Sequence, residues 1–212
     1  MADKQQEVFE FAYYSLNPDK RQNYISNYRN FSDKIANIDG YKSLVTFIVI
    51  DDENLILDFT KWESLKKAEE ADSIVQNSEE FNKYFEPVNE ILFFDNLILL
   101  DEISKEETAN YKIAELNLYE VNLTEIDTFN KNRKKLYNYV KENIFGFKKV
   151  LSFYSPEDDR INIDLVFWEN LDSVTEAQKK LCKIEYFQKM KGCVRELKIW
   201  KKLKIFNPVN LE

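Results

Sequence analysis

The heptapeptide Trp62-Glu63-Ser64-Leu65-Lys66-Lys67-Ala68 returns 106 residues later as Trp168-Glu169-Asn170-Leu171-Asp172-Ser173-Val174. Outward from this pair, residues 37–94 lie on residues 143–200 without a gap, and about 17 of the 58 positions are identical. The matches include Gly40/Gly146, Lys42/Lys148, Phe47/Phe153, Asp58/Asp164, Phe81/Phe187 and Val88/Val194. Self-similarity of this kind at a fixed offset marks an internal repeat, so the chain reads as two modules, residues 1–106 and 107–212. Tyr13 and Tyr119 keep the offset of 106, whereas the intervening helix fits better at 105, with Phe31 on Leu136 and Ile35 on Val140. A one-residue insertion or deletion therefore falls just after that helix.

Each module reads the same way. Val8–Leu16 and Ile113–Val121 are β-branched and aromatic runs, hence strands. Asn17-Pro18-Asp19 and Asn122-Leu123-Thr124-Glu125 open helices. Tyr24, Tyr28, Phe31, Ile35 and Ile38 then form one apolar stripe, as do Phe129, Leu136, Val140 and Ile144. A glycine follows each helix (Gly40, Gly146), where a left-handed residue is cheapest. Hairpins follow over 41–62 and 147–168, then second helices over about 64–85 and 172–190, and last strands over 91–100 and 195–206. The order β-α-β-β-α-β is the ferredoxin-like split unit.

In the third strand Leu55, Leu57 and Phe59 share one face while Ile56, Asp58, Thr60 and Trp62 share the other. Apolar residues on both faces call for helices on one side and a second sheet on the other. The expected fold class is α+β: two ferredoxin-like modules forming an intramolecular dimeric α+β barrel.

Composition narrows the function classes. Aromatics make up 15% of the 212 residues against only 3 Gly and 4 Pro, which supplies a core and leaves short loops. A net charge of −8 argues against nucleic acid, which needs a cationic footprint. Residues 1–106 carry 11 Lys/Arg against 22 Asp/Glu (−11), and residues 107–212 carry 19 against 16 (+3). The start lacks a signal-peptide pattern, and the longest apolar runs, such as 44–50, are strand-sized, so no membrane partner is expected. Two cysteines, Cys182 and Cys193, make neither a disulfide framework nor a zinc site, which suits a reducing cytoplasm. With no histidine, His-based metal sites and triads are excluded, and no glycine-rich phosphate loop or nucleophile elbow is present.

The N-terminal strand, the amphipathic helix, the Gly-aromatic step and the Trp-Glu-Ser-Leu-Lys-Lys-Ala opening of the second helix resemble the antibiotic-biosynthesis-monooxygenase group of dimeric α+β barrel proteins. The second module carries the likeness in Phe145-Gly146-Phe147 and in residues 168–174. That resemblance implies a cofactor-independent monooxygenase, or a related enzyme, acting on a small aromatic substrate. The alternative is a non-catalytic module that binds a small molecule or a partner. Haem-degrading relatives use a strand-1 Asn, a Trp before the second helix and a His ligand. Here the Trp occurs twice and the Asn once, Asn117 facing Phe11 in the alignment, and the His is missing. No cofactor and no metal are expected.

The candidate residues follow. Trp62 and Trp168 either stack on a flat ligand or fill the sheet–helix junction. Asp58 and Asp164, beside an apolar pocket, would act as proton acceptors; otherwise they meet solvent or pair with Lys42 and Lys148. Asn117 would orient a substrate, and Tyr13 and Tyr119 would line the same pocket or pack inside. Lys198, Lys201, Lys202 and Lys204 guard an edge strand. A small apolar or aromatic ligand is the expected partner, and a monomer the expected state, compatible with a further dimer.

Overall fold

The computed structural model describes residues 6–105 and 111–207. Strand β1 (Val8–Leu16) ends at Asn17, whose side chain accepts from the Asp19 amide and starts a 3-10 turn at Pro18–Lys20. The chain continues through α1 (Arg21–Ile35), β2 (Tyr41–Val49), β3 (Leu55–Trp62), α2 (Leu65–Gln76), α3 (Glu79–Phe85) and β4 (Val88–Ser104). The order then recurs as β5 (Ile113–Val121), α4 (Ile126–Asn143), β6 (Phe147–Tyr154), β7 (Ile161–Trp168), α5 (Leu171–Leu181), α6 (Glu185–Cys193) and β8 (Val194–Ile205). The chain is α+β, with the expected βαββαβ order present twice.

Each second helix, expected as one piece, is two. In the first module the break falls at Asn77-Ser78, residue types whose side chains compete for backbone hydrogen bonds and favour helix ends. Asn77 Nδ2 turns back to the Ser73 carbonyl at 2.7 Å. At Cys182-Lys183-Ile184 no such residue signals the break; there Gln188 Nε2 donates to the Cys182 carbonyl at 2.6 Å.

The chain divides into two compact units, Met1–Ile98 with Ile205–Glu212, and Leu99–Lys204. This differs from a cut at residue 106. The second module's tail belongs to unit 1, where Phe206 donates its amide to the Thr46 carbonyl and packs on Tyr28 with ring centroids 4.6 Å apart. The end of β4 belongs to unit 2, where the Lys105 amide that follows it donates to the Lys148 carbonyl.

Within unit 1 the strand order is β4-β1-β3-β2, and within unit 2 it is β8-β5-β7-β6. Both are antiparallel. Glu10 sits opposite Thr60, and Glu115 opposite Val166. Because Thr60 and Val166 are 106 apart, β1 and β5 correspond at 105. Two alignments made from the sequence are thereby corrected. The counterpart of Asn117 is Ala12, not Phe11, and that of Tyr119 is Tyr14, not Tyr13. The single offset change lies after the first helix, so everything upstream of it, strand included, moves together.

The alternation read on β3 is observed. Ile56 and Trp62 join Tyr14, Tyr24, Phe31, Ile35, Ala68, Ala71 and Tyr84 in one buried cluster against the helices. The opposite face carries Phe11, Tyr13, Phe47 and Leu57, also buried. No helix among the described residues is long and apolar enough to cross a membrane.

Gly40 and Gly146 have φ of 85° and 75°. Their carbonyls accept from the Glu63 and Glu169 amides at 2.8 Å, drawing the start of α2 or α5 against the turn. A Cβ on Gly146 would lie 2.0 Å from Ser173 Oγ. Replacing Gly146 with Ala is expected to cost roughly 2 kcal/mol from the left-handed backbone, with the clash added. Gly192, helical and with open space at its Cβ, should instead gain roughly 0.5–1 kcal/mol on becoming Ala. Urea midpoints of the two variants test the contrast.

Candidate functional site

Each unit holds a cavity between the helix-facing side of its sheet and its helices. That of unit 2 measures about 470 Å³ and is lined by Glu115, Asn117, Tyr119, Trp168, Gln178 and Trp200 among mainly apolar neighbours. That of unit 1 measures about 330 Å³ and is lined by Glu10, Tyr14, Asp58, Trp62, Asp72 and Phe94 among others.

The alternation of β1 and β5 decides which candidates reach these spaces. Glu10, Ala12 and Tyr14 point into the first, and Glu115, Asn117 and Tyr119 into the second. Tyr13 is buried on the other face of β1 and does not line the cavity. Trp62 and Trp168 are 1% exposed and stand on the cavity walls, with Tyr41 and Phe147 edge-on to them.

Glu10 and Glu115, corresponding residues of β1 and β5, were not singled out from the sequence. Carrying the 105 offset of the first helix back through the strand would have aligned them. Burial, then the nearby Asp72, pushes the Glu10 carboxyl up to about 8. Glu115 is also raised by burial, against the pull of its donors. Trp200 Nε1 donates to Glu115 Oε1 at 2.6 Å, and Gln178 Nε2 to the same oxygen at 3.3 Å. The Trp62 and Trp168 indole N–H groups lie close enough to Glu10 and Glu115 to favour their anions. Neither closes a hydrogen bond of normal geometry, and both are buried without a partner.

Asp58 and Asp164 are neither solvent-wetted nor paired with Lys42 or Lys148; they are 4% and 0% exposed. Lys42 lies 3.8 Å from Glu63 instead. Thr46 Oγ1 donates to Asp58, as do Tyr14 at 2.7 Å and Tyr84 at 3.2 Å, with Tyr24 hydrogen-bonded to both tyrosines. Asp164 accepts from Ser152 at 2.6 Å and Tyr137 at 2.9 Å, and Arg133 Nη1 lies at 3.5 Å. Burial raises the pKa of both aspartates. Asp58 reaches the first cavity, whereas Asp164, hydrogen-bonded to Tyr137, does not line the second. Among the described residues no group of three or more metal-ligating side chains forms.

No protein-family model matches the chain, and no curated protein matches it. Solved structures do. A proposed monooxygenase from Fusobacterium nucleatum matches at a TM-score of 0.72 and 12% identity, over 96% of this chain and 94% of that one. An anthrone oxidase-like protein matches at 0.77 and 13%, over 97% and 93%. Chlorite dismutase from Candidatus Nitrospira defluvii matches at 0.67 and 9%, over 97% and 93%. The chain thus has the dimeric α+β barrel fold that these proteins share.

Two predictions follow from the buried polar groups. Glu10 ionises near 4.5 when unfolded and near 8 when folded, so the fold holds its proton more tightly. The stability this confers is complete below about pH 4.5 and is lost as pH rises through 8. Glu10→Gln should flatten that decline in urea unfolding measured between about pH 5 and about pH 8.5. Asn162 is 1% exposed with neither amide atom hydrogen-bonded, and Ile56 holds the matching place in the first module. Asn162→Ile should therefore stabilise the protein by about 1–3 kcal/mol in the same assay.

Proposed function

We propose that the cavity of unit 2 binds a flat, largely apolar aromatic molecule and serves its oxidation by dioxygen, with Glu115 as proton acceptor. The observation that carries this reading is a buried carboxylate of raised pKa beside an unpartnered indole N–H, both on the wall of a cavity of about 470 Å³. That volume suits a molecule of two or three fused rings. Trp168 and Trp200 offer aromatic surface, and the Trp168 N–H and Asn117 offer hydrogen bonds to a substrate carbonyl or hydroxyl. The resemblance to monooxygenase-like and oxidase-like folds agrees with this reading.

The chemistry asks little of the protein beyond a base and a dry pocket. Glu115 removes a proton from an activated methylene, leaving a delocalised carbanion. The carbanion passes one electron to dioxygen, the resulting radical and superoxide combine into a peroxide anion, and this takes back the proton held by Glu115 to give the hydroperoxide. Loss of the second methylene proton with water leaves the carbonyl, so that R₂CH₂ and O₂ become R₂CO and H₂O. The raised pKa brings the carboxylate nearer to neutral pH, where a general base works best. Free Cys182, exposed, and free Cys193, buried, suit a cytoplasmic setting.

Anthrone is a suitable probe, with oxygen uptake read by an electrode. One O₂ should be consumed per anthrone, and Glu115→Gln should lower kcat by about 10² or more while anthrone still quenches tryptophan fluorescence. Saturable binding without oxygen uptake above the uncatalysed rate would overturn the oxidase reading in favour of a binding module. Equal kcat in Glu115→Gln would remove Glu115 from its role.

A further inference from the structure

The two cavities have the same frame but differ in charge: acidic side chains alone among the charged lining of the first, a balance of acids and bases in the second. Where Gln178 faces Glu115 in unit 2, the matching position in unit 1 is Asp72, and it faces Glu10. Where Trp200 donates to Glu115, the first module has Phe94, which donates nothing. Glu115 therefore has two donors. Glu10, only 9% exposed and turned to the cavity, receives no closed hydrogen bond from any described residue. Lys191 and Arg195 stand with Glu115 and Glu196 on the wall of the second cavity; among the described residues no Lys or Arg lines the first.

We infer that the cavity of unit 1 is a second ligand site, one that takes a small organic cation: an ammonium group on an apolar, preferably aromatic, body. Three observations converge on it. Glu10 and Asp72 present two carboxylates to a partly open cavity of about 330 Å³ that no Lys or Arg lines among the described residues. Asp58 is not available as a third, because three hydroxyls already donate to it. Phe31, Phe85, Phe94 and Trp62 supply the aromatic surface that attracts a desolvated cation as well as an apolar body. An ammonium placed between Glu10 and Asp72 donates to both.

Such a ligand also resolves an electrostatic conflict. Glu10 faces Asp72 from α2 and Asp58 and Trp62 from β3, and without a cation it retains its proton near neutral pH. A bound ammonium reverses the sign of the nearest charge and drives that proton off. Binding should thus be accompanied by proton release between the pKa values of about 6 and about 8 that Asp72 and Glu10 have in the empty cavity.

The test is calorimetric titration of the whole chain at about pH 7 with 2-phenylethylamine, 2-phenylethanol and 3-phenylpropionate, in buffers of different ionisation enthalpy. The amine should bind about tenfold or more tighter than the alcohol and release a fraction of a proton, and any binding of the carboxylate should be unchanged by Asp72→Asn. Asp72 is half-buried on a helix, so Asp72→Asn should fold normally and weaken the amine by about tenfold. Gln178→Ala, in unit 2, should leave the amine unaffected. Equal affinity for amine and alcohol would overturn the proposal. So would an Asp72→Asn variant that binds the amine like the parent, or a loss confined to Gln178→Ala. None of these outcomes bears on anthrone oxidation in unit 2, so the two readings fail separately.

Discussion

The helix-facing layer of each unit is organised around one buried carboxylate. Asp58 and Asp164 occupy the same strand position, and a charge there is tolerable only if neighbouring elements bring donors to it. The first module does so with hydroxyls, Thr46 from β2, Tyr14 from β1 and Tyr84 from α3. The second uses Ser152 from β6 together with Tyr137 and Arg133 from α4. Removing the carboxylate from either would strand polar groups that have no other reason to be inside. The helices are thus fixed on the sheet by polar geometry as well as by apolar area.

The same requirement shapes the space left over. In unit 1 the three tyrosines and Phe31 fill the area around Asp58, with Phe31 stacked on Tyr84 at 3.7 Å, and leave a smaller cavity beside Trp62. In unit 2 Arg133 lies over the Phe129 ring at 5.0 Å and close to Asp164, and the larger cavity opens beside Trp168. One frame with different internal partners gives two cavities of different size and charge balance.

Much of this was written in the sequence. The βαββαβ order followed from the alternation in β3, the stripe in the first helix and the repeated glycine. The cavity-lining role of Glu10 and Glu115 was hidden by a one-residue shift in alignment, since a strand moved by one residue presents its other face. Arg133 was visible as the gap in the apolar stripe between Phe129 and Leu136, and a charge at such a position implies a buried partner. The hydroxyl network of Asp58 was not legible, because Tyr14, Thr46, Asp58 and Tyr84 come together only through tertiary packing. Nor was the break in the second module's last helix, which no residue there encodes locally.

A buried glutamate beside an unpartnered indole is an expensive arrangement, and it occurs in both units. Leu or Met at position 10 would fill space, relieve the desolvation of the carboxyl and break no closed hydrogen bond, whereas at position 115 it would strand the Trp200 and Gln178 donors. Folding alone therefore offers no reason for Glu10. Glu115 and the aspartates differ in this respect, since their donors depend on them. A local rule broken without compensation inside the protein marks the kind of position that function, and not folding, selects. Glu10 is such a position, and it is the one on which the proposed cation site turns; Glu115, held by its donors, is the one on which the proposed oxidation turns.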